Sequence, residues 1–226
     1  MVKIKEFENV YPPSEDSMLL LKAVGYAKGD VLDMFAGSGI IGLTAAANAR
    51  NVTLADVNPH AVEAIKYNAI ENRISNFKCL QSDLFSALGK KRFDVIYANP
   101  PYLPGKAGKN WMDRALNGGA DGNELTIKFI SGIRKHLKHD GKAFIILSSI
   151  YDTNKVYKEI KRLRFSFKKL SSINFFFEEL FLIELYDKGG HSSKRGKTDS
   201  GGDNKRLRPG AQSKKSKRGQ GHTKHS

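Results

Sequence analysis

The sequence predicts an α/β fold, one mostly parallel β-sheet with helices on both faces. Three observations predict it. Short apolar runs alternate with helix-patterned stretches from Val31 to Tyr186. A Gly-x-Gly-x-x-Gly turn, Gly37 to Gly42, directly follows the first run. Asp33, Asp56, Asp83 and Asn99 stand at or beside the ends of four successive runs, the edge where open parallel sheets bind ligands.

The elements follow in order. Ser14-Glu15-Asp16-Ser17 before Met18-Leu19-Leu20-Leu21 opens a helix, with Ser14 as N-cap and two acids at its positive end. Val31 to Met34 is the first strand, Gly39 to Ala49 an Ala- and Leu-rich helix, and Val52 to Asp56 the second strand. Pro59 to Asn72 is a helix whose proline falls in the first turn, where a missing N–H does no harm. Phe77 to Gln81 and Phe93 to Ala98 are the third and fourth strands. Asn123 to Leu137 is helical, with Ile127, Ile130, Ile133, Arg134 and Leu137 as its stripe. Gly141 to Leu147 is a fifth strand and Asn154 to Leu163 a helix. Phe165 to Ile173 and Leu180 to Tyr186 are two strands with a tight connection, hence antiparallel. Residues 103 to 122 form a long Gly-rich connection, a length that marks functional or mobile loops.

The chain has 226 residues and a net charge of +15, unevenly spread. Residues 188–226 hold 12 Lys and Arg against Asp199 and Asp203, and Leu207 is their only large apolar residue. Such a segment buries too little surface to offset its ordering entropy, so residues 188–226 are expected to be a disordered basic tail after a domain spanning 1–187. A tail of that charge is expected to favour ribosome or nucleic-acid contact. No apolar run reaches the roughly 20 residues of a membrane helix, and Met1 to Glu6 lacks a signal peptide's apolar core. The one cysteine, Cys79, excludes an intramolecular disulfide and reads as a buried, inert thiol. The expectation is a soluble cytoplasmic protein without membrane contact.

Asn99-Pro100-Pro101-Tyr102 closes the fourth strand. The Asn side-chain oxygen and the Pro100 carbonyl can each accept one hydrogen of a planar NH2 group. Neither proline donates an N–H and both fix φ, so the turn is stiff and acceptor-rich. The Tyr102 ring can lie against the planar group. The plainer alternative is a strand-to-loop turn. The glycine turn followed nineteen residues later by Asp56, a carboxylate placed for ribose hydroxyls, is open between a dinucleotide and another adenosine cofactor. Asp33 before the turn tells against a pyrophosphate, and suits an ammonium. Asp83 can accept from an adenine amino group.

With these residues the chain resembles the class I S-adenosylmethionine-dependent methyltransferases, from about residue 7 to 187. Within them it is similar to the HemK-type release-factor glutamine methyltransferases, archaeal/eukaryotic branch. The segment that carries this is Val10-Tyr11-Pro12-Pro13-Ser14-Glu15-Asp16-Ser17 followed by Leu19-Leu20-Leu21. The resemblance implies a Rossmann-like seven-stranded sheet with the last strand antiparallel, S-adenosyl-L-methionine as cofactor, and the Gly-Gly-Gln glutamine of a peptide chain release factor as acceptor. It implies cofactor contacts from Ser17, Asp33, Phe35, Gly37, Gly39, Asp56, Asp83, Leu84 and Asn99. It gives Asn99, Pro100, Pro101 and Tyr102 the acceptor nitrogen, with no metal. Trp111 to Gly119 fits the branch's loop after this tetrapeptide. The branch works with a small activator subunit in a heterodimer. Phe175-Phe176-Phe177 suits such a partner, although core packing is expected for at least one of the three.

Three alternatives stay open. An exocyclic amine of adenine or guanine in RNA or DNA presents the same sp2 NH2, and would be flipped out of a duplex. A non-enzymatic basic RNA-binding protein requires the whole array from Ser17 to Tyr102 to be idle. An NAD-binding protein leaves Asn99 to Tyr102 without a role.

Overall fold

The computed structural model describes residues 2–187 other than Ala107. The expected tail lies outside the described residues. Helix α1 (Glu15–Leu21) and a 3-10 turn (Val24–Tyr26) precede β1 (Asp30–Met34), α2 (Ile40–Ala45), β2 (Asn51–Asp56), α3 (Pro59–Glu71), β3 (Phe77–Gln81) and β4 (Phe93–Ala98). Then come β5 (Leu103–Pro104), α4 (Trp111–Leu116), β6 (Asn117–Gly119), α5 (Glu124–His136), β7 (Leu137–Ser148), α6 (Thr153–Arg162), β8 (Phe165–Asn174) and β9 (Glu179–Asp187).

Seven strands form the main sheet in the order β3-β2-β1-β4-β7-β9-β8. The neighbours from β3 to β7 are parallel, and β9 runs antiparallel to both β7 and β8. The order reverses between β1 and β4, so the crevice at their C-terminal ends is the expected ligand position. Alternation along β1 explains the two helical layers. Val31 packs with Leu19, Leu43, Ile65 and Phe144 on one face. Leu32 and Met34 pack with Phe129, Ile133, Val156 and Ile160 on the other. Tyr97, wholly buried, donates its hydroxyl to the Ala23 carbonyl at 3.0 Å and so ties β4 to the end of α1.

Several expectations are corrected. Ser14 stands at the N-cap of α1 as expected and its carbonyl accepts the Met18 N–H at 3.0 Å, yet its side chain caps no helix N–H; its hydroxyl donates to the Glu15 carboxylate at 2.5 Å. Helix α2 ends at Ala45, four residues early. Strand β7 starts at Leu137, where its pairing with Phe93 begins before a register shift. The buried face of α5 carries Thr126, Phe129, Ile130, Ile133 and His136, whereas Arg134 points outward to Asp187 at 2.8 Å. Residues 103–122 hold α4 and the small β5–β6 sheet. Cys79 is half-buried, and burial raises its thiol pKa. All three phenylalanines of 175–177 are exposed, so none packs in the core.

Candidate active site

The glycine turn is built by three different steric demands. Gly37 and Gly39 take φ of 52° and 86°, the left-handed region that favours glycine. Gly42 sits in α2 with no room for a side chain; a Cβ there would lie 2.6 Å from Leu54 Cδ2 and 3.0 Å from Asp33 Cβ. Phe35, a non-glycine at φ 60°, holds its strained turn by packing edge to face on Phe129 at 5.5 Å.

Asp33 is buried at 2% exposure, and its Oδ2 accepts the Gly42 N–H at 2.8 Å. Burial, reinforced by the nearby Asp56 charge, pushes its carboxyl up to about 7 against the opposing Gly42 hydrogen bond. Asp56 accepts the Gly37 N–H at 2.8 Å and the Asn58 N–H at 2.9 Å. Desolvation raises its pKa as well. Each carboxylate oxygen has a second lone pair, so these bonds leave acceptor capacity.

The segment preceding α1 closes the other wall. Asn58 Nδ2 donates to the Asn9 carbonyl at 2.7 Å, Asn68 Oδ1 accepts the Lys5 N–H at 2.9 Å, and Val10 is buried against Ala61 and Ala64. This seating brings Tyr11, Asp16 and Ser17 to the same space.

The result is a cavity of ≈ 250 Å³ at the β1/β4 crevice. It gathers Ser17, Asp33, Phe35, Gly37, Asp56, Asp83, Leu84, Asn99, Pro100, Pro101 and Tyr102 on one lining. Gly39 is not on that lining; its position is set by contacts beneath the turn, where a Cβ would approach Ile65 and Leu43 to 3.1 Å. Asp16, Asp33, Asp56, Asp83 and Glu178 face Arg114 in charge, so the cavity is mostly acidic although residues 1–187 hold more Lys and Arg than Asp and Glu. Four buried side-chain atoms lack a hydrogen-bond partner among the described residues, and Asn99 Oδ1 is the one on the cavity lining. Tyr102's phenol is held above its ordinary pKa, first by burial and then by Asp16, so it stays neutral.

Sequence reasoning missed roles for Tyr11, Asp16, Arg114 and Glu178. Glu178 had a usable signal: a strand running parallel to β1 must deliver its following turn to the C-terminal edge. Arg114 lies over the Trp111 ring at 4.9 Å, and only the fold of α4 makes that visible.

Behind the cavity Phe85, which follows Asp83 and Leu84, is stacked between Phe129 at 5.5 Å and His136 at 4.5 Å. A Cβ at Gly132 of α5 would collide with the Phe85 ring. Gly132→Ala should therefore lose more from overpacking, about 1–3 kcal/mol, than the roughly 1 kcal/mol alanine gains in helix propensity. A thermal midpoint lower by a few degrees, about 2–4 °C per kcal/mol, is the expected reading. A midpoint equal to or above that of the parent would show that the ring yields freely.

Sheet order, glycine turn and cavity together define a Rossmann-like methyltransferase. The chain belongs to the methyltransferase small domain family, whose model matches residues 14–174. A candidate protein N5-glutamine methyltransferase of Methanocaldococcus jannaschii is 36% identical over 190 residues, covering 82% of this chain and 95% of that protein. The release factor glutamine methyltransferase of Rhodopirellula baltica is 31% identical over 188 residues, 70% of this chain and 64% of that longer protein. Among solved structures, the Mtq2–Trm112 complex of E. cuniculi, described as responsible for methylation of the eRF1 termination factor, aligns with a TM-score of 0.64. It is 19% identical and covers 79% of this chain and 99% of that one, a likeness of fold. No helix among the described residues is long and apolar enough to cross a membrane.

Proposed function

We propose that this chain transfers a methyl group from S-adenosylmethionine to the side-chain amide nitrogen of a release-factor glutamine, and that residues 1–187 are the domain that does it. The observation that carries the proposal is the Asn99 side-chain oxygen, buried at the cavity without a partner. Buried polar atoms are nearly always paired, and one left open at a cavity is ready for a ligand's donor.

The cofactor fits the residues present. It carries a sulfonium and an ammonium, and the lining sets five carboxylates against one guanidinium. Asp33, Phe35 and Gly37 would hold the methionine end, with Ser17 beside them and Gly39 shaping the turn. Asp56 would take the ribose, and Asp83 with Leu84 the adenine. When bound, this cofactor supplies an electrophilic methyl group.

The chain's own residues do the rest. An amide nitrogen is a poor nucleophile because its lone pair is delocalised. Asn99 Oδ1 and the Pro100 carbonyl accept its two hydrogens and stabilise the positive charge that develops on nitrogen. Pro101 stiffens the turn, and Tyr102 orients the amide plane. Tyr102, being neutral, contributes position rather than a base, and the proton that the methylated nitrogen gives up passes to water. Fixing two reactants in line supplies a large share of the barrier reduction, of order 7–11 kcal/mol in favourable cases.

The names of the relatives point to a protein acceptor. The tail's charge favours the second reading, an exocyclic base amine. The acidic lining opposes it, since Asp16 and Glu178, to which no cofactor contact is assigned, repel an approaching polyanion. A small activator subunit is part of the proposal, in line with the two-protein make-up of the Mtq2–Trm112 complex, as is ribosome contact through residues 188–226. So is a cytoplasmic site of action, where release factors work.

Incubation with methyl-labelled cofactor and three acceptors, release factor, tRNA and genomic DNA, tests the proposal. Label is expected in the release factor and lost when its Gly-Gly-Gln glutamine is replaced. Label in nucleic acid alone would overturn it.

A further inference from the structure

The β8–β9 hairpin ends in Phe175-Phe176-Phe177 at the sheet edge that holds the cavity. Phe176 is 92% exposed and Phe177 89%. Their rings meet edge to face with centroids 4.5 Å apart. The turn is closed by the Phe175 N–H, which donates to the Glu178 carbonyl at 2.6 Å. It is also anchored to the site. Glu178 lines the cavity and accepts the Ser148 hydroxyl at 2.5 Å. The Ser149 N–H donates to the Glu179 carbonyl at 2.9 Å, and Ser149 Oγ accepts the Glu179 N–H at 2.8 Å. An aromatic pair held out in water on a braced turn is a feature of interaction sites.

We propose that Phe176 and Phe177 dock the protein acceptor, entering an apolar pocket of its fold beside the loop that carries the modified glutamine. The proposal rests on the glutamine reading above and adds a second point of contact to it. The sequence after Asp187 offers only Leu207 as a large apolar side chain, too little to cover two phenyl rings. Glu178 and Glu179 directly follow the rings, and the cavity beyond is acidic, which repels nucleic acid and suits a protein with basic residues around an apolar pocket. Tip-to-tip pairing of two copies buries at most about 800 Å², from roughly 200 Å² per ring. That is short of the roughly 1,200 Å² of a stable interface. An acceptor seated on both tip and cavity has the larger contact. A macromolecular substrate held at a site remote from the reacting group gains affinity that a short peptide cannot.

The test uses the full chain, the release factor itself, and a short synthetic peptide spanning its Gly-Gly-Gln loop. The double variant Phe176→Ser/Phe177→Ser removes two solvent-exposed rings and leaves the core untouched. Its KM for the release factor is expected to rise about tenfold or more, the size of an aromatic hot spot. Its kcat on both acceptors and its KM for the peptide should stay at the parent's values, and Phe176→Leu/Phe177→Leu should restore much of the affinity. An unchanged KM for the release factor, or an equal loss on the peptide, would overturn the docking. So would a parent that sediments as a dimer and a variant that sediments as a monomer, because the tip would then join two copies, or a variant that loses a small subunit co-purifying with the parent, because the tip would then seat that subunit. Failure of the unaltered chain, assayed together with any subunit that co-purifies with it, to methylate the release factor at all is a different outcome, and it removes the glutamine reading itself.

Discussion

Asn99→Ala is expected to slow single-turnover methylation by about 100-fold, the lower end of what losing one preorganised transition-state partner costs. Cofactor affinity should move little, because the oxygen is placed for the acceptor's NH2. The same change should not weaken the fold. Asn99 Oδ1 is buried and unpaired, so its desolvation is uncompensated until a donor arrives. Removing it should leave the ligand-free protein as stable as the parent or about 1 kcal/mol more stable. Slower chemistry with equal or higher stability is the signature of a group kept for function. Rapid quench with labelled cofactor reads the first effect and thermal denaturation the second. Normal single-turnover rate in the variant would show that Asn99 does not hold the acceptor.

The parallel half of the sheet was legible because its strands announce themselves. Val31 to Met34, Val52 to Asp56 and Phe93 to Ala98 are apolar runs with Asp or Asn at or beside their ends, and near-continuous apolar runs are the pattern of strands buried on both faces. The same economy made Asp33, Asp56 and Asn99 visible, since each stands at the edge where a buried run meets a crevice. Residues 103–122 were not legible, for a steric reason. A Cβ on Gly118 would lie 2.7 Å from the Pro101 carbonyl, so that loop folds back on the Asn99–Tyr102 turn by backbone contact. Glycines spaced along a loop do not reveal which backbone they approach. The face of α5 was legible at Ile127, Ile130, Ile133 and Leu137, which all meet the core; Arg134 was misplaced, and Phe129 and His136 were missed because they complete the stack behind the cavity, a demand set by Phe85 on another segment.

Local and long-range requirements meet most sharply at Asp33. It packs on the α2 side of β1, where neighbouring positions are Val31 and Leu54, and it is, with Asp16, one of two buried acids of the cavity wall. One hydrogen bond, from Gly42, is little compensation for a buried carboxylate. Its retention in the fold makes sense if a cation completes its surroundings during function.

Asp33→Asn is accordingly expected to stabilise the ligand-free protein at pH 8 and to do so progressively less as the pH falls. The folded-state pKa, about 7, lies above the ordinary carboxylate value of 3.8. Between those values the native state binds the proton and the unfolded chain releases it. Stability from this group is therefore complete below about pH 4, declines as the pH rises toward 7, and is flat above. Asparagine keeps the shape and the acceptor for Gly42 and has no charge to desolvate. The advantage of the variant should grow by about 2–3 kcal/mol from pH 5 to pH 8, at roughly 1.4 kcal/mol per pH unit below the folded pKa. That is a widening of the melting-temperature gap by about 4–12 °C. Affinity for the cationic cofactor should move the other way. In the parent it should weaken by up to about tenfold per pH unit below 7, because Asp33 must give up its proton to face a cation. In the variant it should be weaker at pH 8 and nearly independent of pH. Calorimetry in buffers of different ionisation enthalpy measures the released proton directly. A parent that releases no proton on binding at pH 6, with a melting-temperature gap constant across pH, would place Asp33 as an ionised structural cap of α2 and nothing more.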